Sequence, residues 1–318
     1  MNQHIKCVST AGIIFSIVLF VCVIMITVYP MPLSGSQTLS HITNFEYQNK
    51  TIFVSLMSGA IVGFSLGFIG SGGSILAVPL LLYAVGIEDP HVAIGTSALA
   101  VSINAATNLF DHARKRNVRF REGLAFALPG VVGTMIGTQL GLLTPPGNLV
   151  FFFALLMLVI AARILFNNSA RKDFPDNRGS IRRSVVFSKL TIYTKCNFVV
   201  SHKLKLMGLF VGLAAGYFGI GGGFLIVPSL LYSGLNISNA IGTSLIPVSI
   251  FGAITAFGYS LHSHINIAIS LLFAIGGVVG GFVGSNMLAR VPKNIATNVF
   301  GIVTAVVGVY IILRFFLA

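Results

Sequence analysis

The chain has 318 residues, 55% of them hydrophobic and only 8% charged, with a mean hydropathy of +0.92. Soluble domains carry about a quarter charged residues, so a soluble globular class is excluded. The net charge of +13 invites a nucleic-acid partner, but the basic residues are confined to loops. Five lie between Arg114 and Arg121, and ten between Arg163 and Lys205. Basic loops beside apolar spans are the positive-inside signal of a membrane protein, so the expected partner is the lipid bilayer and not nucleic acid.

In chain order, Lys6 precedes an apolar run over residues 11–29. That run is longer than the roughly 7–15 residues of a signal peptide's apolar stretch, so it reads as a retained anchor. With the polar, proline-containing linker that follows, it makes up residues 1–50. A first repeat is expected over 51–166. It opens with a hairpin, 51–69 and 74–85, joined at a glycine turn, and continues with spans 93–110, 122–144 and 148–166. A basic cytoplasmic linker, 167–203, carries a short surface helix near 181–190. A second repeat, 204–318, follows the same plan: 204–218 and 224–235, then 240–259, 265–289 and 294–316. The alternation of a membrane barrel is absent. The fold class is therefore an all-α, polytopic membrane protein in the cell membrane.

The repeat is written in two motifs. Gly67-Phe-Ile-Gly70-Ser71-Gly72-Gly73-Ser74, followed by Pro79 and Tyr83, returns 149 residues later. The second copy is Gly216-Tyr-Phe-Gly219-Ile-Gly221-Gly222-Gly223, followed by Pro228 and Tyr232. Each copy precedes the string Ala-Ile-Gly-Thr-Ser, which ends at Ser97 and at Ser244. Two apolar halves broken by glycine at equivalent depth are the signature of a repeat-built transporter. Five segments per half is an odd number, so the second half is expected to be inverted. On that layout 18 of the 20 basic residues face inside, with Lys50 and Arg314 outside. The loop 111–121 is strongly basic while its partner 258–266 has no Lys or Arg. Conversely, 144–147 is uncharged while its partner holds Arg290 and Lys293.

The candidate ligand groups follow from this plan. A segment of about a dozen residues, rising ~1.5 Å per residue, does not cross a hydrocarbon core of ~30 Å. A helix starting inside the membrane directs N–H groups and partial positive charge into its surroundings, which suits an anion. Gly70, Gly72, Gly73, Gly219, Gly221, Gly222 and Gly223 let backbone approach a ligand, and Ser71 and Ser74 add hydroxyls. Thr96, Ser97, Thr243 and Ser244 read equally as cavity lining or as back-bonded packing hydroxyls. Ser97, Asn104, Asn108 and Asp111 share one helical face, and two amides in a span serve either a pathway or a helix contact. The ten glycines at four-residue spacing (Gly59, Gly63, Gly67; Gly208, Gly212, Gly216; Gly133, Gly137; Gly280, Gly284) read as close helix packing.

Other chemistries lack support. Cys7, Cys22 and Cys196 form no Cys-x-x-Cys, and His262 and His264 stand two apart with no third ligand, as in a solvated loop. No metal or cofactor is expected. Neither glycine cluster is a dinucleotide fingerprint or P-loop, and no catalytic constellation sits in a span. No span centre carries Asp, Glu, His, Lys or Arg, so no proton relay is evident.

Two glycine motifs each followed by proline, the paired Ala-Ile-Gly-Thr-Ser strings and the basic central loop resemble the TauE/SafE family of sulfite exporters. The likeness runs from about Lys50 to the C-terminus. It implies a bacterial-type inner-membrane carrier that exports a small anion, a sulfur oxyanion or a sulfonate, with the duplicated glycine and Thr-Ser motifs at its site. The alternatives are an anion channel and a non-transporting membrane assembly or sensor protein. Oligomeric state is left open. An anion leaving a cell that is negative inside gains roughly 2.3 kcal/mol per charge per 100 mV, so electrogenic export without a coupled ion is expected.

Overall fold

The computed structural model describes residues 43–69, 71–166, 189–235, 237–262, 264–287 and 293–317. The expected anchor 11–29, Gly70 and most of the central linker lie outside them. The described chain is helical: α1 Thr43–Ile69, α2 Pro90–Arg114, α3 Phe120–Leu143, α4 Pro146–Phe166, α5 Lys189–Phe218, α6 Gly223–Tyr232, α7 Ile237–Ser260, α8 Ile267–Met287 and α9 Lys293–Leu317. Between α1 and α2 runs a short broken segment. It is a tight 3-10 stretch at Ser71–Leu76, one α turn at Ala77–Pro79, and a wider π-wound stretch at Leu80–Val85. Six of the described helices are long and apolar enough to cross a membrane, and three shorter apolar helices accompany them.

Local signals explain the boundaries. Asp89 caps α2, its carboxylate accepting the His91 N–H at 2.8 Å, with Pro90 in the first turn. The broken segment stops at Gly86, which is left-handed at φ 86°. α5 begins at Lys189, well before the expected start at 204, because no proline or glycine interrupts residues 189–207.

Packing joins the two halves rather than separating them. α1 lies along α8: a β-carbon on Gly59 would strike the Phe273 carbonyl, on Gly63 the Gly277 backbone, and on Gly67 the Gly281 carbonyl. The counterpart pair does the same. Along α5 and α3, Gly208 abuts Phe126, Gly212 abuts Gly130 and Gly216 abuts Thr134. All ten glycines read as packing positions are packed this way, with Gly133, Gly137, Gly280 and Gly284 against the backbones of Leu209, Leu213, Ala60 and Phe64. Counting the broken segment, each half's first segment thus docks on the other half's fourth.

Corresponding helices pass one another in opposite directions. In α2 and α7, Ala98 faces Gly252, while the Ser102 hydroxyl donates to the Ser249 carbonyl at 2.8 Å. In α4 and α9, Gly301 meets Ile164, Gly308 meets Leu158, and the Phe151 and Phe315 rings lie 5.3 Å apart. The bundle therefore has two unlike ends. One carries the basic loop 115–119. The other carries the 86–89 loop, the turn after α7 and the ends of α3 and α9; we call it the histidine end. Outward faces of α3 (Leu128, Val132, Met135) and α8 (Ile275, Val279, Phe282) are exposed and apolar, as a lipid-facing surface requires.

Candidate functional site

The structure brings the two glycine turns into one neighbourhood, since Ser71–Leu76 packs against both α6 and α7. They differ in form. In the second turn Gly219, Gly221 and Gly222 are left-handed, at φ 66°, 63° and 66°, a conformation that side chains resist. Gly73 is not among the left-handed residues, and its turn stays wound as a 3-10 helix. Gly221 lies beside the middle of α7 and α2, where a β-carbon would come within 2.9 Å of Val248 and 3.7 Å of Val101. Gly219 abuts Ile94 and Gly222 abuts Ala215 and Val211. The turn is closed over by apolar side chains in this conformation, and Ser74 is buried beside it.

The Thr-Ser pairs have partners. Ser97 and Ser244 back-bond to the Ile94 and Ile241 carbonyls at 2.8 and 2.7 Å. The Ser97 hydroxyl also lies 3.4 Å from the Gly219 carbonyl, which ties it to the second glycine turn. The threonines reach across to the opposite half. Thr96 Oγ1 accepts the Asn266 N–H at 3.0 Å, and Thr243 Oγ1 accepts the Arg119 N–H at 2.9 Å. The glycine before each threonine completes the contact. A β-carbon on Gly95 would strike the His264 carbonyl, and one on Gly242 would lie 2.5 Å from the Asn117 carbonyl. Both contacts span the same positions of the repeat, so each Ala-Ile-Gly-Thr-Ser string is half of a clasp between halves. One clasp is at the histidine end and the other at the basic end. Duplication of Gly95 with Thr96 carried the signal, but a clasp needs its partner loop, which no spacing reveals.

The α2 polar face points at α8. Asn104 stands over Gly277, Asn108 over Gly281, and the Ser285 hydroxyl donates to Asp111 at 2.7 Å. The Asn108 amide donates to the Asn104 carbonyl at 2.8 Å. The Asn104 side chain differs: it is fully buried and neither amide atom has a hydrogen-bond partner. An unsatisfied buried amide costs about 1–3 kcal/mol. Its repeat counterpart, Phe251, packs on Gly130 as Asn104 packs on Gly277. At the basic end Lys115 joins the network, 2.7 Å from Asp111 and 3.2 Å from Asn286 Oδ1.

His264 is a half-buried residue of the turn after α7. Its ring lies 5.3 Å from that of His91, and Asp89 stands between the two. Isolated histidines far apart in the chain gave no hint of this. A cavity between the broken segment, α2 and the α4–α9 pair is lined by Val78, Leu82, Pro90, Ile94, Leu149, Val150, Phe153 and Ile311. It presents no polar group to an anion. Among the described residues no three His, Cys, Asp or Glu side chains, Asp89, His91 and His264 included, are arranged to hold a metal ion.

The family model for the sulfite exporter TauE/SafE matches residues 55–311. A probable membrane transporter protein of Xylella fastidiosa strain Temecula1 is 39% identical over 268 residues, covering 83% of this chain and 96% of that one. The probable membrane transporter protein YdhB of Bacillus subtilis is 25% identical over 258 residues, covering 79% and 96%. The probable membrane transporter protein MamO of Paramagnetospirillum magneticum is 29% identical over 112 residues, or 32% of this chain and 18% of that one. No solved structure matches the chain.

Proposed function

The chain belongs to the TauE/SafE sulfite exporter family of multi-pass membrane transporters, and on that premise we propose that it exports a small sulfur oxyanion or sulfonate by alternating access. The two halves act as inverted repeats. The antiparallel course of α2 with α7 and of α4 with α9 supports this. So does the exchange of basic residues between equivalent loops, which sets the basic end in the cytoplasm and the histidine end outside.

The observation that carries the reading is the pair of reciprocal clasps. Each half grips the other at one end through a Gly-Thr pair, so opening one end while the other stays closed requires no new element. The substrate passes between the glycine turns, Ser97 and Asn104. Asn104 offers two amide N–H donors that the closed protein leaves unused. Val101 and Val248 separate from Gly221 as the path opens. Ser71, Ser74, Asn108 and Ser244 border this path, while Thr96 and Thr243 act as its gates. The substrate's own negative charge couples export to the membrane potential.

Uptake of labelled sulfite, short sulfonates and carboxylates into liposomes holding the purified protein tests the assignment. The reading expects sulfite or a sulfonate to enter saturably and to compete with one another. Movement of none of them, or of carboxylates alone, contradicts it.

A further inference from the structure

The histidine-end clasp carries chemistry that its counterpart lacks. Asp89 lies 3.4 Å from His91 Nδ1 and 3.5 Å from His264 Nδ1. Asp89 and His91 belong to the first half, and His264 to the turn that Gly95 and Thr96 grip. His91 is buried, and its other nitrogen, Nε2, lies 3.2 Å from the Gly141 carbonyl. A carbonyl only accepts, so that nitrogen carries a proton. A neutral His91 then leaves an unprotonated Nδ1 3.4 Å from the Asp89 carboxylate, two acceptors side by side. The imidazolium keeps the Gly141 contact and sets a positive charge beside that carboxylate.

We propose that Asp89, His91 and His264 form a proton-operated latch on the histidine-end clasp, closing that end of the carrier as the medium beside it acidifies; this rests on the alternating-access reading above. Histidine is the side chain whose charge ordinarily changes between pH 5 and 8. A proton on His264 converts a carboxylate beside a neutral ring into an ion pair across the halves, with His91 flanking the same carboxylate within the first half. Loss of that proton releases the grip. The other ionisable groups nearby are Glu88 beside Asp89, His262 on the same turn, Tyr259 with its ring 6.2 Å from His91, and Tyr217 at the end of α5. Carboxylates and phenols as classes keep their charge in this window. His262 turns its Nδ1 to the Gly258 carbonyl at 3.2 Å instead. The basic end is held instead by Asp111 and Lys115 at the end of α2 against Ser285 and Asn286 of α8, groups of classes that do not titrate there. His112, buried at that end, is kept in every variant below.

The test uses the full chain in membranes, with Cys7, Cys22 and Cys196 replaced by serine and a reporter at Val101→Cys, one turn beneath the clasp and beside Gly221. An impermeant thiol reagent is added at the histidine-end face at pH values from about 7.5 to 5.5. Rates are divided by those of the same protein bearing His91→Gln and His264→Gln, so the titration of the reporter thiol cancels. The ratio should fall about fivefold with acid, the change that ~1 kcal/mol from one partly exposed ion pair produces. Asp89→Asn, which keeps a helix cap, should behave as the double glutamine variant does. A ratio that stays constant with pH overturns the latch. Methanesulfonate, which does not react with thiols, separates the two readings. If it alters labelling while the ratio stays flat, the latch fails and the carrier stands. If it alters labelling in no variant, the carrier reading fails and the latch with it.

Discussion

Replacing Thr96 by valine keeps the shape of a wholly buried side chain and deletes one hydroxyl, the acceptor of the Asn266 N–H at 3.0 Å. Replacing Thr243 by valine deletes the equivalent acceptor of the Arg119 N–H at 2.9 Å. A net hydrogen bond is worth about 1 kcal/mol, and here it is lost only from the state in which that end is closed. Thr96→Val should therefore raise the population open at the histidine end about fivefold, and Thr243→Val should raise the population open at the basic end by the same factor. The two sites lie at opposite ends and share no partner, so their effects add. The double variant should return close to the native balance. Reporter cysteines labelled from each face of oriented vesicles measure both populations. Singles that shift the balance in the same direction, or a double that departs further than either single, would refute the reciprocal-gate reasoning.

Gly63→Ala and Gly212→Ala each drive a β-carbon into backbone, of Gly277 and Gly130 respectively. Each should lower stability by about 1–3 kcal/mol, read as a lower Tm in detergent; Gly147→Ala, whose nearest neighbour is a Phe315 ring atom at 3.7 Å, should not. Asn104→Leu removes an unpartnered amide where the other half holds Phe251. It should keep or raise Tm while abolishing anion transport, and a lower Tm or unchanged transport contradicts the assigned role. Arg121→Cys and His262→Cys, both exposed positions, should label from opposite faces of the membrane. Labelling from one face would rule out inversion.

Much of this architecture was legible because periodicity and hydropathy act locally. The apolar spans from residue 51 onward, the glycines at four-residue spacing and the short segment after each glycine turn follow from neighbouring residues, and the described residues bear them out. The α2 face was legible too, since Asn104, Asn108 and Asp111 fall on one side of a helix and all meet α8. What escaped depends on partners distant in the chain. Thr96 looks the same in sequence whether it lines a cavity or receives the N–H of Asn266. Asp89, His91 and His264 carry no spacing that announces a cluster. The left-handed form of the second glycine turn was likewise hidden, because both copies carry glycine at the aligned positions and composition does not fix the sign of φ there.

The central claim is that an anion crosses this protein with its charge uncompensated. Proteoliposomes loaded with labelled sulfite at one fixed pH on both sides, with a valinomycin-set potassium potential, test it most directly. Inside-negative potential should speed release of the anion, external unlabelled anion should stimulate it, and the rate should saturate with loading. Release indifferent to potential, or dependent on an imposed proton gradient, would contradict the account.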